Sequence, residues 1–331
     1  MNTSVLLSTL CIAASAALLP ADARADPVDI SEWPVPWERS RPRDPDVASD
    51  GRVWFVGQQS DYIANFEPET GDFNRYDLDP GTGPHTLLVD AQDHIWYAAN
   101  RAGFIGLLDP GTAHIVKITM PDRDADDPHT LAFDGNGNIW FTVQQGNFVG
   151  RLAMADHTVQ LMKVPTRRAH PYGIVVNANG IPWVAEFGSH KLIRVDPEAM
   201  RLEEIELPDE DSRPRRLVVT SDGNVWYGDY ERGFLGRYEP DSGRLAEWPL
   251  PGGEDSRPYG MAVDRFDRIW LVETGVSPNR LVGFDTAREA FFSVSDIPSG
   301  GGSVRNMVYF EPAGEVWFGT DANTIGRAKL H

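Results

Sequence analysis

Residues 84–120 read PHTLLVDAQDHIWYAANRAGFIGLLDPGTAHIVKITM, and apolar runs alternate with turn residues throughout this stretch. The apolar runs lie at 86–90, 95–100, 104–109 and 114–120, and each is shorter than a typical helix. Short runs rich in Ile, Val, Leu and aromatic residues between turn residues are typical of β-strands. The stretch therefore predicts four short strands in succession.

This four-strand unit recurs along the chain with a period of about 44 residues. Seven of the ten Trp residues lie at intervals of 42 to 47 residues. Pro stands twelve positions before the first six of these Trp, and Arg305 stands there before the seventh. Four strands in a period of this length are typical of a propeller blade. The repeat Trp residues are Trp54, Trp96, Trp140, Trp183, Trp226, Trp270 and Trp317, and the repeat Pro residues are Pro42, Pro84, Pro128, Pro171, Pro214 and Pro258.

The repeats predict an all-β fold, a seven-bladed β-propeller of four-stranded blades. The last repeat begins near residue 306 and has room for three strands before residue 331. Residues 30–36 read ISEWPVP and match LAEWPLP at 245–251, the fourth strand of the fifth repeat, at four of seven positions. We therefore expect an N-terminal strand to complete the last blade and close the ring, which leaves no open sheet edge.

The chain is strongly acidic, with 49 Asp and Glu against 30 Lys and Arg and a formal net charge of −19. A nucleic-acid-binding protein needs a basic surface, so this charge argues against nucleic acid as a partner. It also disfavours binding to anionic lipid surfaces. The apolar fraction of 41% is sufficient for a large core. We expect a monomer whose partner is a small molecule or a peptide.

The N-terminal segment has the features of a signal peptide. Residues 5–20 read VLLSTLCIAASAALLP, an apolar run with the length of a signal-peptide core. Ala23 and Ala25 place small residues at the two positions that a signal peptidase reads. We expect residues 1–25 to be removed together with Cys11, the only Cys, and residues 26–331 to form a single propeller domain. The protein is then expected to be periplasmic or secreted, with no membrane attachment after cleavage.

In a blade, the start of the first strand and the end of the antiparallel second strand lie at the same edge. Three sets of positions should therefore surround one mouth of the central channel. The residues after the repeat Pro position are Arg43, His85, His129, Tyr172, Arg215, Tyr259 and Asn306. The residues before it are Arg41, Gly83, Asp127, His170, Arg213, Arg257 and Val304. The residues three after the repeat Trp are Gly57, Ala99, Val143, Glu186, Asp229, Glu273 and Thr320.

These positions divide the mouth into two sectors. The His and carboxylate sector comprises His85, Asp127, His129, His170, Tyr172 and Glu186, and the arginine sector comprises Arg41, Arg43, Arg213, Arg215 and Arg257. A neutral imidazole can bind a divalent cation or take a proton, and a bound cation polarises a carbonyl and stabilises an enolate. Arginines can bind a carboxylate or another anion. Polar residues at strand ends also close turns, and this interpretation is favoured for Asp229 and Glu273.

Three motifs carry a resemblance to a known family. They are PYGI at 171–174, DGNGNIWFT at 134–142 and VGR at 149–151, and related motifs recur in all seven repeats. In these motifs the chain resembles the virginiamycin B lyase (streptogramin B lyase) family. The resemblance implies a seven-bladed propeller and a carbon–oxygen lyase. Such an enzyme opens the ester ring of a cyclic depsipeptide by elimination, with Mg²⁺ and without adding water.

The active-site signature of that family is a Pro-His in one blade, an acid-Pro-His in the next and a Pro-Tyr in the blade after, and this chain has the same order. The resemblance implies that His129 is the base, that His85 and Asp127 bind the cation, and that Tyr172 lines the pocket. The implied cation is Mg²⁺, and the donor types leave other divalent cations open. Around this centre we expect a substrate rim of His170, Arg215, Arg257 and Tyr259.

Two features depart from the family. Its signature runs through the last two blades and wraps to the first, whereas here the signature lies in repeats two to four. The family also has an acid late in the second strand of the acid-Pro-His blade, where this chain has Val143-Gln144-Gln145. Glu186, one repeat further on, is our candidate for the missing metal-binding carboxylate.

Three hypotheses for function stay open. The first is an exported lyase that opens an ester or lactone by metal-assisted elimination. The second is a lactone hydrolase similar to gluconolactonase, with Glu186, Asp229, Glu273 and Asn306 in the channel. The third is a non-enzymatic propeller that binds a protein, glycan or peptide on its rim, because one fold serves many functions. Hydrolysis adds water to the product and elimination leaves a double bond, so the product separates the first two.

Overall fold

The structure, a computed structural model, describes residues 27–330, in which 28 β-strands form seven four-stranded sheets. The predicted signal peptide, with Cys11, lies outside the described residues. No helix in residues 27–330 has the length and apolarity that crossing a membrane requires. The described chain is therefore an all-β, seven-bladed propeller, as the repeats predict.

The chain enters through β1 (Asp29–Pro34), which belongs to the last blade, and then builds the blades in order. Blade 1 comprises β2 (Pro42–Val47), β3 (Val53–Gly57), β4 (Tyr62–Phe66) and β5 (Phe73–Asp77). Blade 2 comprises β6 (Pro84–Val89), β7 (Ile95–Ala99), β8 (Phe104–Asp109) and β9 (His114–Thr119). Blade 3 comprises β10 (Pro128–Phe133), β11 (Asn138–Val143), β12 (Phe148–Ala153) and β13 (Val159–Lys163).

The remaining blades repeat this plan. Blade 4 comprises β14 (Pro171–Val176), β15 (Pro182–Glu186), β16 (Lys191–Asp196) and β17 (Arg201–Glu206). Blade 5 comprises β18 (Pro214–Val219), β19 (Val225–Asp229), β20 (Phe234–Glu239) and β21 (Arg244–Pro249). Blade 6 comprises β22 (Pro258–Val263), β23 (Ile269–Glu273), β24 (Arg280–Asp285) and β25 (Ala290–Asp296). Blade 7 comprises β26 (Val304–Phe310), β27 (Glu315–Thr320), β28 (Thr324–Lys329) and β1.

Blade 7 is built from both ends of the described chain. β1 pairs antiparallel with β28, which makes the sheet order β1-β28-β27-β26. Trp33 stands opposite Ile325, and the centre of its ring lies 5.7 Å from that of Trp317. The predicted closure of the ring by an N-terminal strand is confirmed.

The repeat Trp residues fill the space between neighbouring blades. All seven are at most 3% exposed. Trp96 of blade 2 packs in one cluster with Leu131 and Phe141 of blade 3. Its indole N–H donates to Asp90 Oδ2 at 2.9 Å, which fixes the turn before β7. Asp90 and the repeat Trp residues are thus structural, and these Trp belong to the core.

Each inner strand, the first of its blade, contains a register shift just after its start. On β10, Pro128 stands opposite Val143 and Leu131 stands opposite Phe141, so β10 holds one extra residue there. Such a β-bulge re-aims the neighbouring side chains. Equivalent shifts occur on β2, β6, β14, β18, β22 and β26. The two residues after the repeat Pro position therefore leave the regular alternation of the strand.

Blade 7 corrects one predicted position. Val304 stands opposite Thr320 just as Pro84 stands opposite Ala99, so Val304 occupies the repeat Pro position. Counting back from the Trp was wrong by one residue, because the connection between β26 and β27 is one residue longer and includes a short 3-10 turn. Arg305, not Asn306, is the blade 7 counterpart of His85.

Candidate active site at the channel mouth

The inner strands bring two layers of side chains together at one end of the channel. Asp44 of blade 1 contacts Arg216 of blade 5, and Tyr172 of blade 4 contacts Tyr259 of blade 6, so side chains meet across the ring. The mouth ring is the set that follows the repeat Pro position: Arg43, His85, His129, Tyr172, Arg215, Tyr259 and Arg305. The second ring is the next set: Asp44, Thr86, Thr130, Gly173, Arg216, Gly260 and Asn306. From the second ring onward the inner strands line a largely apolar cavity of about 380 Å³.

The three residues that the resemblance assigned to catalysis form one contact series. The ring centres of His85 and His129 lie 3.7 Å apart, and those of His129 and Tyr172 lie 4.2 Å apart. All three side chains are at most 4% exposed. The Nδ1 of each His faces the Thr that follows it, at 3.2 Å for Thr86 and 2.9 Å for Thr130. Nε2 therefore lies on the side of each ring that faces away from this Thr.

Both histidines are neutral at pH 7. Burial lowers the pKa of His129 well below its usual value of 6.5, and His85, Arg216 and Arg43 lower it further. Burial together with Arg43 and Arg216 does the same to the pKa of His85. A neutral imidazole can accept a proton, although a low pKa reduces its strength as a base.

A buried carboxylate joins three blades beneath the histidines. Asp44 accepts hydrogen bonds from Arg43 Nε at 3.0 Å, Arg216 Nη2 at 3.2 Å and Thr86 Oγ1 at 2.8 Å. Burial alone would raise the pKa of Asp44, but Arg43 and Arg216 outweigh it and hold the pKa below 3.8. Asp44 is therefore ionised and compensates part of the arginine charge.

Two phenols meet on the other side of the mouth. The hydroxyl groups of Tyr172 and Tyr259 share a hydrogen bond. The guanidinium of Arg215 lies 3.6 Å from the centre of the Tyr259 ring, and its Nη2 donates to Tyr172 Oη at 3.4 Å. Burial opposes ionisation of Tyr259, but Arg215, Arg43 and further arginines lower its pKa to about 7. Burial and the neighbouring Tyr259 raise the pKa of Tyr172. Tyr259, unlike the two histidines, can thus exchange a proton near neutral pH.

The predicted metal ligands lie apart from one another. Asp127 accepts the backbone N–H groups of Gln145 at 2.7 Å and Gly146 at 3.0 Å, and so closes the loop after β11. Glu186 accepts from Ser189 Oγ at 2.5 Å, and burial raises its pKa to about 7. Across residues 27–330, no three His, Asp or Glu side chains are placed to hold one metal ion.

The residues at the mouth do not fit Mg²⁺ as they stand. Mg²⁺ prefers oxygen ligands in octahedral geometry. The carboxylate beside His85 is Asp44, which is already engaged by two arginines, and the carboxylate of Asp127 is engaged by backbone amides. The positive charges of Arg43 and Arg216 also oppose a cation beside the histidines. Mg²⁺, or another divalent cation, stays a prediction here.

Two of the carboxylates predicted for a hydrolase, Asp229 and Glu273, form hydrogen bonds and ion pairs with nearby loops and strands. Asp229 accepts the backbone N–H of Arg213 at 2.9 Å. Glu273 accepts the N–H of Gly252 at 2.7 Å and pairs with Arg280 at 2.5 Å. Both are fully buried, and these bonds fix loops around the mouth. This agrees with the interpretation that such strand-end residues close turns.

The predicted rim residues divide into two groups. Arg215 and Tyr259 belong to the mouth ring, as described above. Arg257 pairs with Glu231, and His170 is half-buried at a left-handed position with φ of 48° next to β14. Arg213, also expected in the arginine sector, donates to backbone carbonyls of its own loop.

Sequence reasoning missed three residues that shape the site. Asp44 and Arg216 lie in the second ring, which the spacing of the repeat Pro and Trp does not single out. Arg305 takes the mouth-ring position that the sequence assigns to Asn306, because blade 7 has one extra residue. A signal was available, because Arg43-Asp44 and Arg215-Arg216 are consecutive charged pairs at the start of predicted strands. On a regular strand the second residue of each pair would face away from the first, whereas the bulge brings Asp44 and Arg216 into contact across the channel.

Fold and site together define a seven-bladed β-propeller whose channel mouth combines neutral histidines, paired phenols and buried arginines. The Virginiamycin B lyase family model matches residues 23–280. The chain belongs to this family.

Solved structures have the same fold. A streptogramin B lyase structure matches with a TM-score of 0.82 at 23% identity, over 92% of this chain and 98% of the other. Virginiamycin B lyase from Staphylococcus aureus matches with a TM-score of 0.83 at 21% identity, over 92% and 99%. Its catalytically inactive variant with quinupristin gives 0.82 at 21% identity, also over 92% and 99%. A comparison with curated proteins finds no match.

Proposed function

We propose that this protein is a carbon–oxygen lyase that opens an ester or lactone by elimination at the channel mouth. The observation that carries the proposal is the contact series His85–His129–Tyr172, which joins the three predicted catalytic residues. Membership of the virginiamycin B lyase family supports the same reaction class.

The substrate of this reaction is a carbonyl compound whose β-carbon carries the ester oxygen. His129 takes the proton from the α-carbon, and the electron pair left behind forms a double bond between the α- and β-carbons. The bond between the β-carbon and the ester oxygen breaks, and the ester group leaves as a carboxylate. The ring opens without addition of water. His129 suits this step because it is neutral and therefore free to accept a proton.

Negative charge develops on the substrate carbonyl oxygen as the α-proton leaves, and a fixed positive charge stabilises it. Arg216 supplies such a charge next to the base. Its Nη1 donates to Thr130 Oγ1 at 3.3 Å, and the same oxygen lies 2.9 Å from His129 Nδ1. Arg216 is 4% exposed, and a charge shielded from water acts more strongly than one on the surface.

The substrate class that we propose to examine first is the cyclic depsipeptides, together with small lactones. Quinupristin accompanies the inactive variant of the Staphylococcus aureus relative, which makes it a suitable first compound. We also propose that the protein acts in the periplasm or outside the cell, since residues 1–25 have the sequence of a leader.

Product mass tests the proposed reaction. The full chain is incubated with a panel of cyclic depsipeptides and lactones, and we expect a ring-opened product of unchanged mass with a new double bond. His129→Gln should lower turnover by roughly 10²- to 10⁴-fold, whereas His114→Gln, at an exposed position on the outer strand β9, should retain it. A product heavier by one water would support the hydrolase instead. If the wild type turns over no compound, the result would favour the hypothesis of a non-enzymatic propeller that binds a ligand on its rim.

A further inference from the structure

The channel mouth has an excess of positive charge in an acidic protein. Four arginines of the two rings surround Tyr259 and act on its ionisation: Arg215, Arg43, Arg216 and Arg305. In residues 27–330, the carboxylates that form ion pairs with these four are Asp44, shared by Arg43 and Arg216, and Asp321, which pairs with Arg305. Four guanidinium groups therefore face two carboxylates, although the whole chain carries −19.

Several nitrogens of these arginines have no hydrogen-bond partner within residues 27–330. They are Arg43 Nη2, Arg215 Nε and Arg216 Nε, and each of these atoms is buried. The side chains of Arg43 and Arg216 are only 3% and 4% exposed. Buried polar groups are almost always satisfied in folded proteins, so unsatisfied ones call for an explanation. An oxygen-bearing anion between the arginines would satisfy them and compensate their charge.

Arg215 is fixed in place without being neutralised. The rings of Tyr172, Phe187, Tyr230 and Tyr259 surround its guanidinium, with ring centres at 4.9, 4.5, 4.5 and 3.6 Å. Cation–π contacts of this kind hold an arginine while leaving its charge and its N–H groups available. A guanidinium that is already positioned loses little freedom on binding a carboxylate.

We propose that the channel mouth is an anion-binding site, and that the substrate carries a carboxylate which binds to Arg43, Arg215 and Arg216. A carboxylate fits because its two oxygens match the parallel N–H groups of a guanidinium. This inference rests on the proposed function for the rest of the substrate, an ester or lactone. It names the substrate class more narrowly, as an ester or lactone with a free carboxyl group.

Tyr259 responds to the same charges. In the free protein the arginines lower its pKa to about 7, so the phenol supplies part of the missing negative charge. A carboxylate bound among them offsets their field, and the phenol should then hold its proton more tightly. Anion binding should therefore raise the pKa of Tyr259, which ultraviolet absorbance of the phenolate can follow without any turnover.

The test uses succinate as probe, titrated into the full chain by calorimetry at constant ionic strength in chloride. We expect saturable binding, a rise in the pKa of one phenol, and affinity about tenfold lower in Arg215→Gln, the size expected for one charge-assisted hydrogen bond. Arg215→Lys keeps the charge but not the paired N–H groups, and it should recover only part of the affinity. Arg123→Gln, at a side chain that is 97% exposed, is the control and should bind like the wild type.

Two outcomes would overturn the anion site. One is the absence of succinate binding, and the other is equal affinity in wild type, Arg215→Gln and Arg123→Gln. A matched pair of esters, one with a free carboxylate and one with that group as its methyl amide, separates this inference from the proposed function. Turnover of both esters at equal kcat/KM overturns the anion site and keeps the lyase. Succinate binding without turnover of any ester overturns the lyase and keeps the anion site.

Discussion

The mouth ring has a histidine half, with His85 and His129, and an arginine half, with Arg43 and Arg215. The polar atoms of the two halves differ in their partners. On one half, His85 and His129 are neutral, their tilted rings are in contact, and each Nδ1 faces the Thr that follows. On the other half, Arg43 and Arg215 are charged and keep buried nitrogens without a partner in the described chain. Burial, together with Arg43 and Arg216, lowers the pKa of both histidines, so the mouth keeps proton acceptors unprotonated beside a strong positive field.

Asp44 joins the two halves, and its replacement should have the largest effect. Asp44→Asn leaves Arg43 and Arg216 buried without their carboxylate, so we expect a loss of about 3–5 kcal/mol in the free energy of unfolding. Urea denaturation measures this loss. Asp77→Asn is the control, because Asp77 is a surface carboxylate whose side chain is 75% exposed and pairs with Arg75. That variant should lose less than about 1 kcal/mol.

The effect of Asp44 has a definite pH dependence. Its pKa lies below 3.8 in the folded protein, so folding favours the ionised form. The stabilisation is fully present above the unfolded pKa and is lost as the pH falls through the folded pKa. Plots of the free energy of unfolding against pH for wild type and Asp44→Asn should therefore run parallel near neutral pH and converge in strong acid. Curves that stay parallel down to the acid limit would contradict the ionised Asp44 described above.

A pH profile of kcat/KM distinguishes the proton acceptors of the two halves. A base must be unprotonated, so activity falls as the pH drops through its pKa. If His129 is the base, kcat/KM should stay flat through pH 6.5 and fall only in more acid solution, because its pKa lies well below that value. If Tyr259 is the base, activity should fall through about pH 7 instead. We expect the first profile, and a loss of roughly 10²- to 10⁴-fold in His129→Gln.

Tyr259→Phe supplies the matched comparison. It should remove the phenol that ionises near pH 7 from the ultraviolet titration and lower kcat less than His129→Gln does. A greater loss of kcat in Tyr259→Phe than in His129→Gln would indicate that Tyr259, and not His129, is the base.

The fold could be predicted from sequence because its signal is local and repeated. A Trp between blades recurs in all seven blades and a Pro at the start of the inner strand recurs in six, so their period reports the architecture directly. The closure of the ring by β1 could also be predicted from the sequence, because Trp33 occupies the same position in blade 7 as Trp248 does in blade 5. The error in blade 7 arose where one extra residue in a turn changed the spacing without changing the packing.

The site was less predictable because it depends on contacts across the ring. Pattern reasoning placed His85, His129 and Tyr172 at one mouth, but it did not reveal the pairing of Asp44 with Arg216 between blades 1 and 5. That pairing depends on the channel width and on the bulge in each inner strand. The role of carboxylates at strand ends was hard to predict for a different reason. A carboxylate such as Asp127 can bind a metal, but it can equally accept hydrogen bonds from two consecutive backbone amides.

Metal binding is the smallest effect that we expect, and it tests whether the histidine half can hold a cation. Calorimetry with Mg²⁺ should give at most weak heats, equal in wild type and in the double variant His85→Ala/His129→Ala, because Asp44 and Asp127 are already engaged. Mn²⁺, which accepts imidazole more readily, is the stricter probe. Binding that disappears in the double variant would show that the histidines bind the cation. The positive charge that stabilises the enolate would then come from the metal on the histidine half, and the arginine half would be left to hold the substrate alone.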